Sequence, residues 1–497
     1  MSLMGLDIGT TGTKAVVFDE SGQVLASHYR EYPLYIPQKD QCELEPSEVW
    51  DAAREVISTA AGHVKGSDPV QAIGISTLGD SVIPLDETGT PLYRTVVGAA
   101  DRRAVKEAAW LEKKIGRKEL FKKTGAPLHA FCTIPKIIWF RENKPEVFKR
   151  ASKFTGWQKI IHLKFDVNPA MDYSLASRTM LVNMHTQEWE HDLLNTSGIT
   201  TERFFPLAWS KDIVGQIEHE QLGLERGVKI ATGGFDQCCC AMGAGVLESG
   251  PAALTVGTLE ALTAIYDTCR IEQPLLEGNH GCGIHVVQGL YFSLAYVTTS
   301  GAVLRWYRDN LGIPEVTEAQ KQNRDPYELI LEPIPDRPSS VYILPYFTGT
   351  GTPWLDVSQR GSIFGLTLDT DRAEIVKGLL DGICYEVKIN VESLGNAGIS
   401  IHRFRAIGGG AKSDKWMQLK ADITGIPVET TKVTEAGCLG AAFLAGFGTG
   451  VYSSTDDINK IVAVDRVFEP RKDISTQYKE GYEVYKELRS RVEGLQI

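Results

Sequence analysis

Residues 6–19, LDIGTTGTKAVVFD, return at 254–267 as LTVGTLEALTAIYD, half a chain later in 497 residues. Each copy has an apolar run, Gly-Thr, four variable residues, and a second apolar run ending in an aromatic residue and Asp. That is the pattern of a β-hairpin, with Gly permitting the turn. A motif repeated at half-length points to duplication, and so to two similar units of about 250 residues each, each with its own core. The units are expected at 1–247 and 248–497, joined where GVLESGPA supplies the Gly and Pro of a linker. Around the hairpins the pattern alternates strands (71–76, 82–85, 402–407) with helices (47–60, 103–115, 134–143, 301–310, 372–394, 413–424), an α/β arrangement. The charged segment 473–494 reads as a surface helix.

Several classes are disfavoured. A net charge of −11 argues against nucleic acid or an anionic membrane as partner. No apolar run reaches the roughly 20 residues of a membrane span. The opening MSLMGLDIG has no signal-peptide h-region, so the cytoplasm is the expected compartment. The nine cysteines contain no CxxC pair, which suggests neither a zinc site nor a disulfide framework. The run Cys238-Cys239-Cys240 reads as small buried residues opening a helix.

Three Gly-rich stretches carry candidate chemistry. In DIGTTGTK (7–14) a Gly- and Thr-rich turn offers N–H groups and hydroxyls to phosphate oxygens, Lys14 adds positive charge, and Asp7 suits Mg²⁺. The second turn, Gly257-Thr258, would grip the same polyphosphate from the other side; an ordinary tight hairpin is the alternative. Neither Walker A spacing, nor a Rossmann fingerprint, nor the protein-kinase signatures occur. In GGFDQ (233–237), Asp236 follows a Gly-Gly turn at a strand end, where phosphoryl transfer needs a base for the attacking hydroxyl. A helix N-cap is the competing role for that Asp. In GGGAKSD (408–414) glycines between a strand and a helix let a ligand approach the backbone, or form a flexible turn.

Ordered along the chain, these motifs resemble the FGGY carbohydrate kinases. The resemblance runs from Gly5 to about Tyr452 and also rests on EPSEVW (45–50), TIPKIIWFRENKPEVF (133–148), DYSLASRTML (172–181), SGAVLRWYRD (300–309), GTPWLDVSQRG (351–361) and GGGAKSDKWMQLKADITGIPV (408–428). It implies two duplicated actin-like (ribonuclease H-like) ATPase domains facing a cleft, with MgATP mainly against the second half and the sugar against the first. By the same resemblance Asp7 helps place Mg²⁺, Thr11, Thr13 and Lys14 meet the terminal phosphates, and Gly257-Thr258 is the second grip. Gly301 and Arg305 lie beside the nucleotide, and Gly409, Gly410 and Asp414 line the adenosine pocket. Asp236 is the base and Gln237 stands beside the substrate. The implied partners are ATP and a sugar or polyol; a homodimer is one open assembly state.

The match weakens at the sugar pocket. At 76–80, STLGD replaces the Gln-Met-His of a xylulokinase-like chain and the Gln-Arg-Glu of a glycerol kinase-like one, leaving Gly79 and Asp80. Ala99 stands where the family has Trp, while Asp101 and Arg103 are kept and Phe131 replaces a Tyr. Loss of an indole widens the pocket, and carboxylates suit paired hydroxyls. The pocket therefore suits a five- or six-carbon acceptor over glycerol, and the resemblance of GTPWLDVSQRG (351–361) to xylulokinase-like members implies a pentulose such as xylulose. Ribulose, gluconate or glycerol are alternatives, and a non-catalytic sugar-sensing relative is the alternative of another class.

Overall fold

In the computed structural model, which describes residues 1–495, the first hairpin pairs Ser2–Ile8 with Gly12–Phe18, Ile8 opposite Thr13. Leu3, Met4, Leu6 and Ile8 are all buried, so this strand is covered on both faces and its apolar run is nearly continuous. On its other side Ser2–Ile8 runs parallel to Val70–Thr77. The sheet continues through Lys229–Ala231 to Ile213–Gln216, with Val24–Glu31 at the far edge beyond Gly12–Phe18. The second sheet repeats the plan. Pro251–Val256 pairs antiparallel with Glu260–Tyr266 and parallel with Arg403–Ile407. Tyr291–Val297 then lies outside the hairpin, while Val428–Thr431 and Val464–Phe468 extend the other side. The half-length repeat is thus a repeat of topology, carried by two mixed sheets in an α/β molecule.

The helix Ala436–Thr449 was not evident from the sequence pattern. Gly437, Gly440, Gly446 and Gly448 lower its intrinsic propensity. Packing explains both the helix and its glycines. It lies directly on Ser2–Ile8 and Val70–Thr77, so a chain segment from the second half covers the first sheet. A Cβ on Gly5 would stand 1.8 Å from the Cys438 carbonyl oxygen, and one on Gly74 1.7 Å from that of Ala441. Gly440 reciprocates, its Cβ position lying 1.9 Å from the Cys239 oxygen. Backbone meets backbone here, and no side chain can swing aside. Gly74→Ala should therefore destabilise by about 3 kcal/mol, the upper end of the usual overpacking cost, read as a lower melting temperature. A melting temperature equal to wild type would contradict this packing.

The segment expected as a surface helix is the helix Lys472–Val492, but one face is buried. Tyr478, Tyr482 and Tyr485 pack on the long helix Arg372–Asn396, where Tyr485 donates to Glu386 at 2.6 Å and Lys377 to the Tyr478 hydroxyl at 2.7 Å. Among the described residues no helix is long and apolar enough to cross a membrane.

Candidate active site

A cavity of about 900 Å³ opens on the second half and gathers seven residues singled out from sequence: Gly257, Thr258, Gly301, Arg305, Gly409, Gly410 and Asp414. Its construction follows from local chemistry. The turn after Pro251–Val256 receives the start of the helix Gly301–Asn310, with Gly301 N–H on Gly257 O at 2.9 Å and Ala302 N–H on Thr258 O at 3.1 Å. A Cβ at Gly301 would lie 2.7 Å from that Gly257 oxygen, so Gly is needed for the close approach. Behind the turn a buried pair, Lys420 Nζ to Glu260 Oε1 at 2.6 Å, is extended by Ser300 Oγ on Glu260 Oε2 at 2.9 Å. On the opposite wall Gly408 has φ +89° and leads into the tight turn Gly409–Lys412 and the helix Asp414–Thr424, capped by Ser413. Asp414 is exposed at the rim and pairs with Arg466. Tyr327, Leu331 and Trp416 supply apolar wall that the motif reading missed. Positions 301, 304 and 305 on one helical face were the available signal.

The size and the helix start suit a nucleotide. Thr258→Val keeps the shape of the turn but removes its hydroxyl, so the expected result is a raised KM for MgATP with acceptor affinity unchanged. Calorimetry with each ligand reads this directly; loss of acceptor binding with nucleotide binding intact would mean the halves are assigned wrongly.

Across the cleft, the first hairpin turn is clamped by Tyr32, whose hydroxyl donates to Gly9 O at 2.5 Å. Thr11 is exposed at the tip. Thr13 corrects the sequence reading: its side chain is fully buried and its hydroxyl bonds Tyr32 at 3.4 Å, because residues 13 and 14 point to opposite faces of the strand. Lys14 points the other way, and its ammonium meets Glu435 Oε2 at 2.7 Å, which precedes Ala436–Thr449. Glu435 lies in no motif singled out from sequence.

Asp7 sits at the end of its strand, where Ser76 Oγ donates to its Oδ1 at 2.5 Å. Burial pushes its carboxyl above the ordinary range, partly offset by the Ser76 bond and by Lys14. Asp236 reaches the same place by another route. Gly233, at φ +85°, turns the chain so that Gly234 and Phe235 pair beside Ser76 and Thr77, delivering Asp236 next to them. Phe235 holds the N-cap position of the helix Asp236–Gly243 and no side chain caps it, so the capping role is not what Asp236 does. Its Oδ1 accepts only the neighbouring Gln237 N–H, at 2.7 Å. Burial, then the charge of Asp7, pushes its pKa up to about 7. That is where a general base working near neutrality belongs.

The residues assigned to the sugar from sequence stand on the segment after Val70–Thr77 and the loops around it. Asp80 has φ +57°, and its Oδ2 is gripped by Arg178 (Nη2 at 2.6 Å, Nε at 3.2 Å). Its Oδ1 is buried without a partner, as is Gln237 Oε1. Lys136 holds the surrounding loops through the carbonyls of Asp80, Val97 and Gly98, at 2.7–3.0 Å, and burial lowers its amine to about 8. Gly79 must be small, since a Cβ would lie 2.6 Å from the Phe235 ring. Phe131 stacks on His129 at 4.3 Å. Sequence reasoning assigns Asp101 and Arg103 to the sugar; the structure commits them elsewhere. Arg103 binds both Asp101 oxygens at 2.7–2.9 Å and Glu43 at 2.9 Å, and Asp101 also accepts from Cys42 N–H. With its carboxylate oxygens so occupied and its side chain buried, Asp101 is a loop anchor. Arg102, by contrast, has no acidic partner among the described residues, and its charge bears on His129 and on Tyr296 of the second half.

No cluster of three or more His, Cys, Asp or Glu side chains suited to a metal occurs among the described residues. One carboxylate, Asp7, nonetheless matches what Mg²⁺ uses when phosphates and waters complete its shell.

The FGGY family of carbohydrate kinases matches in both its parts, the N-terminal domain over residues 2–243 and the C-terminal domain over 252–449. A gluconokinase of Bacillus subtilis (strain 168) is 29% identical, with 96% of this chain and 93% of that protein covered. A glycerol kinase of Geobacillus sp. (strain WCH70) is also 29% identical, over 94% of each. The crystal structure of a ligand-bound xylulose kinase from Lactobacillus acidophilus superposes with TM-score 0.89 at 26% identity, covering 100% and 99% of the two chains. With both halves matched by the family's two domains, the chain belongs to the FGGY family of carbohydrate kinases.

Proposed function

We propose that the protein transfers the γ-phosphoryl group of ATP to a hydroxyl of a pentulose such as xylulose, with Asp236 as general base. Asp236 carries the proposal, as a carboxyl at a strand end whose pKa of about 7 leaves it ready to take a proton near neutral pH. The acceptor hydroxyl would approach Asp236 while the unpaired oxygens Asp80 Oδ1 and Gln237 Oε1 accept from neighbouring hydroxyls and fix its orientation. The polyphosphate would lie between Thr11 with Lys14 on one side and Gly257-Thr258 on the other. Asp7 is the carboxylate placed to hold Mg²⁺ through water; the ion supplies charge neutralisation on the phosphates. The small Ala99, exposed beside the sugar loops, supports an acceptor longer than glycerol. The cytoplasm, which supplies ATP, is the proposed setting. The non-catalytic alternative gains no support, since Asp7, Asp236 and both turns are present.

A second reading rests on Arg102. A guanidinium with no acidic partner near His129 and Tyr296 favours an acceptor that brings its own carboxylate, an aldonate such as gluconate. A coupled ADP-release assay over xylulose, ribulose, gluconate and glycerol separates the two. The pentulose reading expects xylulose to have the highest kcat/KM and to exceed glycerol by about 10–200-fold. Glycerol as best acceptor would overturn the pocket argument, and gluconate as best would establish the second reading.

A further inference from the structure

The nine cysteines are unpaired, but Cys269 and Cys282 bring their sulfurs to 3.9 Å. Cys269 follows the strand Glu260–Tyr266 and is half-buried; Cys282 precedes Gly283–Ile284 and is buried. Both sit in irregular backbone, separated by the short helix Gln273–Glu277, so neither is locked in a ladder. A disulfide needs the sulfurs to approach by about 1.9 Å more, which such segments can supply. The neighbourhood also bears on the acidity of Cys282. Its pKa is lowered chiefly by the Cys269 hydrogen bond, against burial, and further by the Tyr266 hydroxyl and the Arg270 backbone N–H.

The pair stands at a junction of the two halves. Cys282 N–H donates to Gly125 O at 2.7 Å, and a Cβ on Gly125 would lie 2.3 Å from Cys282 O. Gly125 opens the loop that runs to His129 and Phe131 on the sugar side. Arg117 reaches Asn279 from the same first-half segment.

We propose that Cys269 and Cys282 form a reversible redox site, a dithiol that hydroperoxides convert to a disulfide and thiols restore. In the first step the Cys282 thiolate attacks one oxygen of hydrogen peroxide. The S–O bond forms as the O–O bond breaks, and hydroxide leaves and takes a proton to become water. The sulfur of Cys269 then attacks the sulfenic sulfur of Cys282, losing its proton. The S–S bond forms as the S–O bond breaks, and the second oxygen departs as water. Two thiols and one peroxide thus give one disulfide and two waters. Closing the sulfurs draws Cys282 toward Cys269 and pulls on its bond to Gly125, so the oxidised protein should use the sugar less well at unchanged nucleotide affinity.

The test treats the full-length protein with stoichiometric hydrogen peroxide, then blocks free thiols and maps peptides by mass spectrometry. The expected result is loss of two of the nine thiols, a peptide pair joined through Cys269 and Cys282, and full reversal by dithiothreitol. Cys269→Ser, which touches no part of the active site, should keep its reduced-state activity and lose the cross-link. Oxidation of Cys282 without a cross-link in the wild type would overturn the proposal. So would both thiols surviving while other cysteines react, or an equal loss of two thiols in Cys269→Ser.

Discussion

Asp236→Asn is expected to lower kcat by about 10²–10⁴-fold while MgATP still binds. The amide keeps the shape and can still accept from Gln237 N–H, but it cannot take a proton from the acceptor. On the proposed reading the nucleotide is held by groups other than Asp236, most of them along the cavity of the second half, so calorimetry with MgATP should report little change. Stability separates this from a folding defect. A carboxyl whose pKa is raised to about 7 in the fold opposes folding when ionised, so its stability contribution worsens as pH rises from the ordinary carboxylate range through about 7. The amide removes that penalty, and the variant should melt no lower than wild type at pH 8. Retention of most turnover would remove Asp236 from the chemistry.

Arg178→Leu should do damage of another kind. Among the described residues Arg178 is the only cation bonded to the Asp80 carboxylate, and it also lies over the Phe235 ring at 5.4 Å. Its loss leaves a buried carboxylate uncompensated, a change that typically costs about 3–5 kcal/mol of stability. A denaturant midpoint well below wild type is the expected reading, together with a raised acceptor KM, because Asp80 would no longer hold its free oxygen toward the substrate. Adding Asp80→Asn should recover part of the stability without restoring the acceptor KM. An unchanged midpoint for Arg178→Leu would mean that the pair contributes nothing to the fold.

Much of the fold was legible because the repeat is local: two hairpins with the same spacing predict two sheets with the same first three strands. The Gly-rich lining of the second-half cavity was legible for a related reason, since glycines mark where backbone must approach backbone. The Ala436–Thr449 helix was not, because its glycines lower propensity and are explained only by a sheet more than 350 residues earlier in the chain. Asp101 and Arg103 show the opposite limit. Their types and spacing suit a sugar, but Glu43 and Cys42, brought in from another segment, bind Arg103 and Asp101. Arg178 and Glu435 were missed because a partner across the fold is invisible to local pattern. Asp236 was legible from the Gly-Gly turn before it, whereas its raised pKa depends on Asp7, more than 200 residues away in sequence.

The most direct test of Asp236 as the base is the pH dependence of kcat/KM for the acceptor at saturating MgATP, measured from about pH 5 to 9. A base must be unprotonated to act. The predicted profile therefore rises about tenfold per pH unit on its acid side, bends at about pH 7, and is flat above. A profile flat across the whole range, or one that falls as pH rises through 7, would contradict proton removal by Asp236.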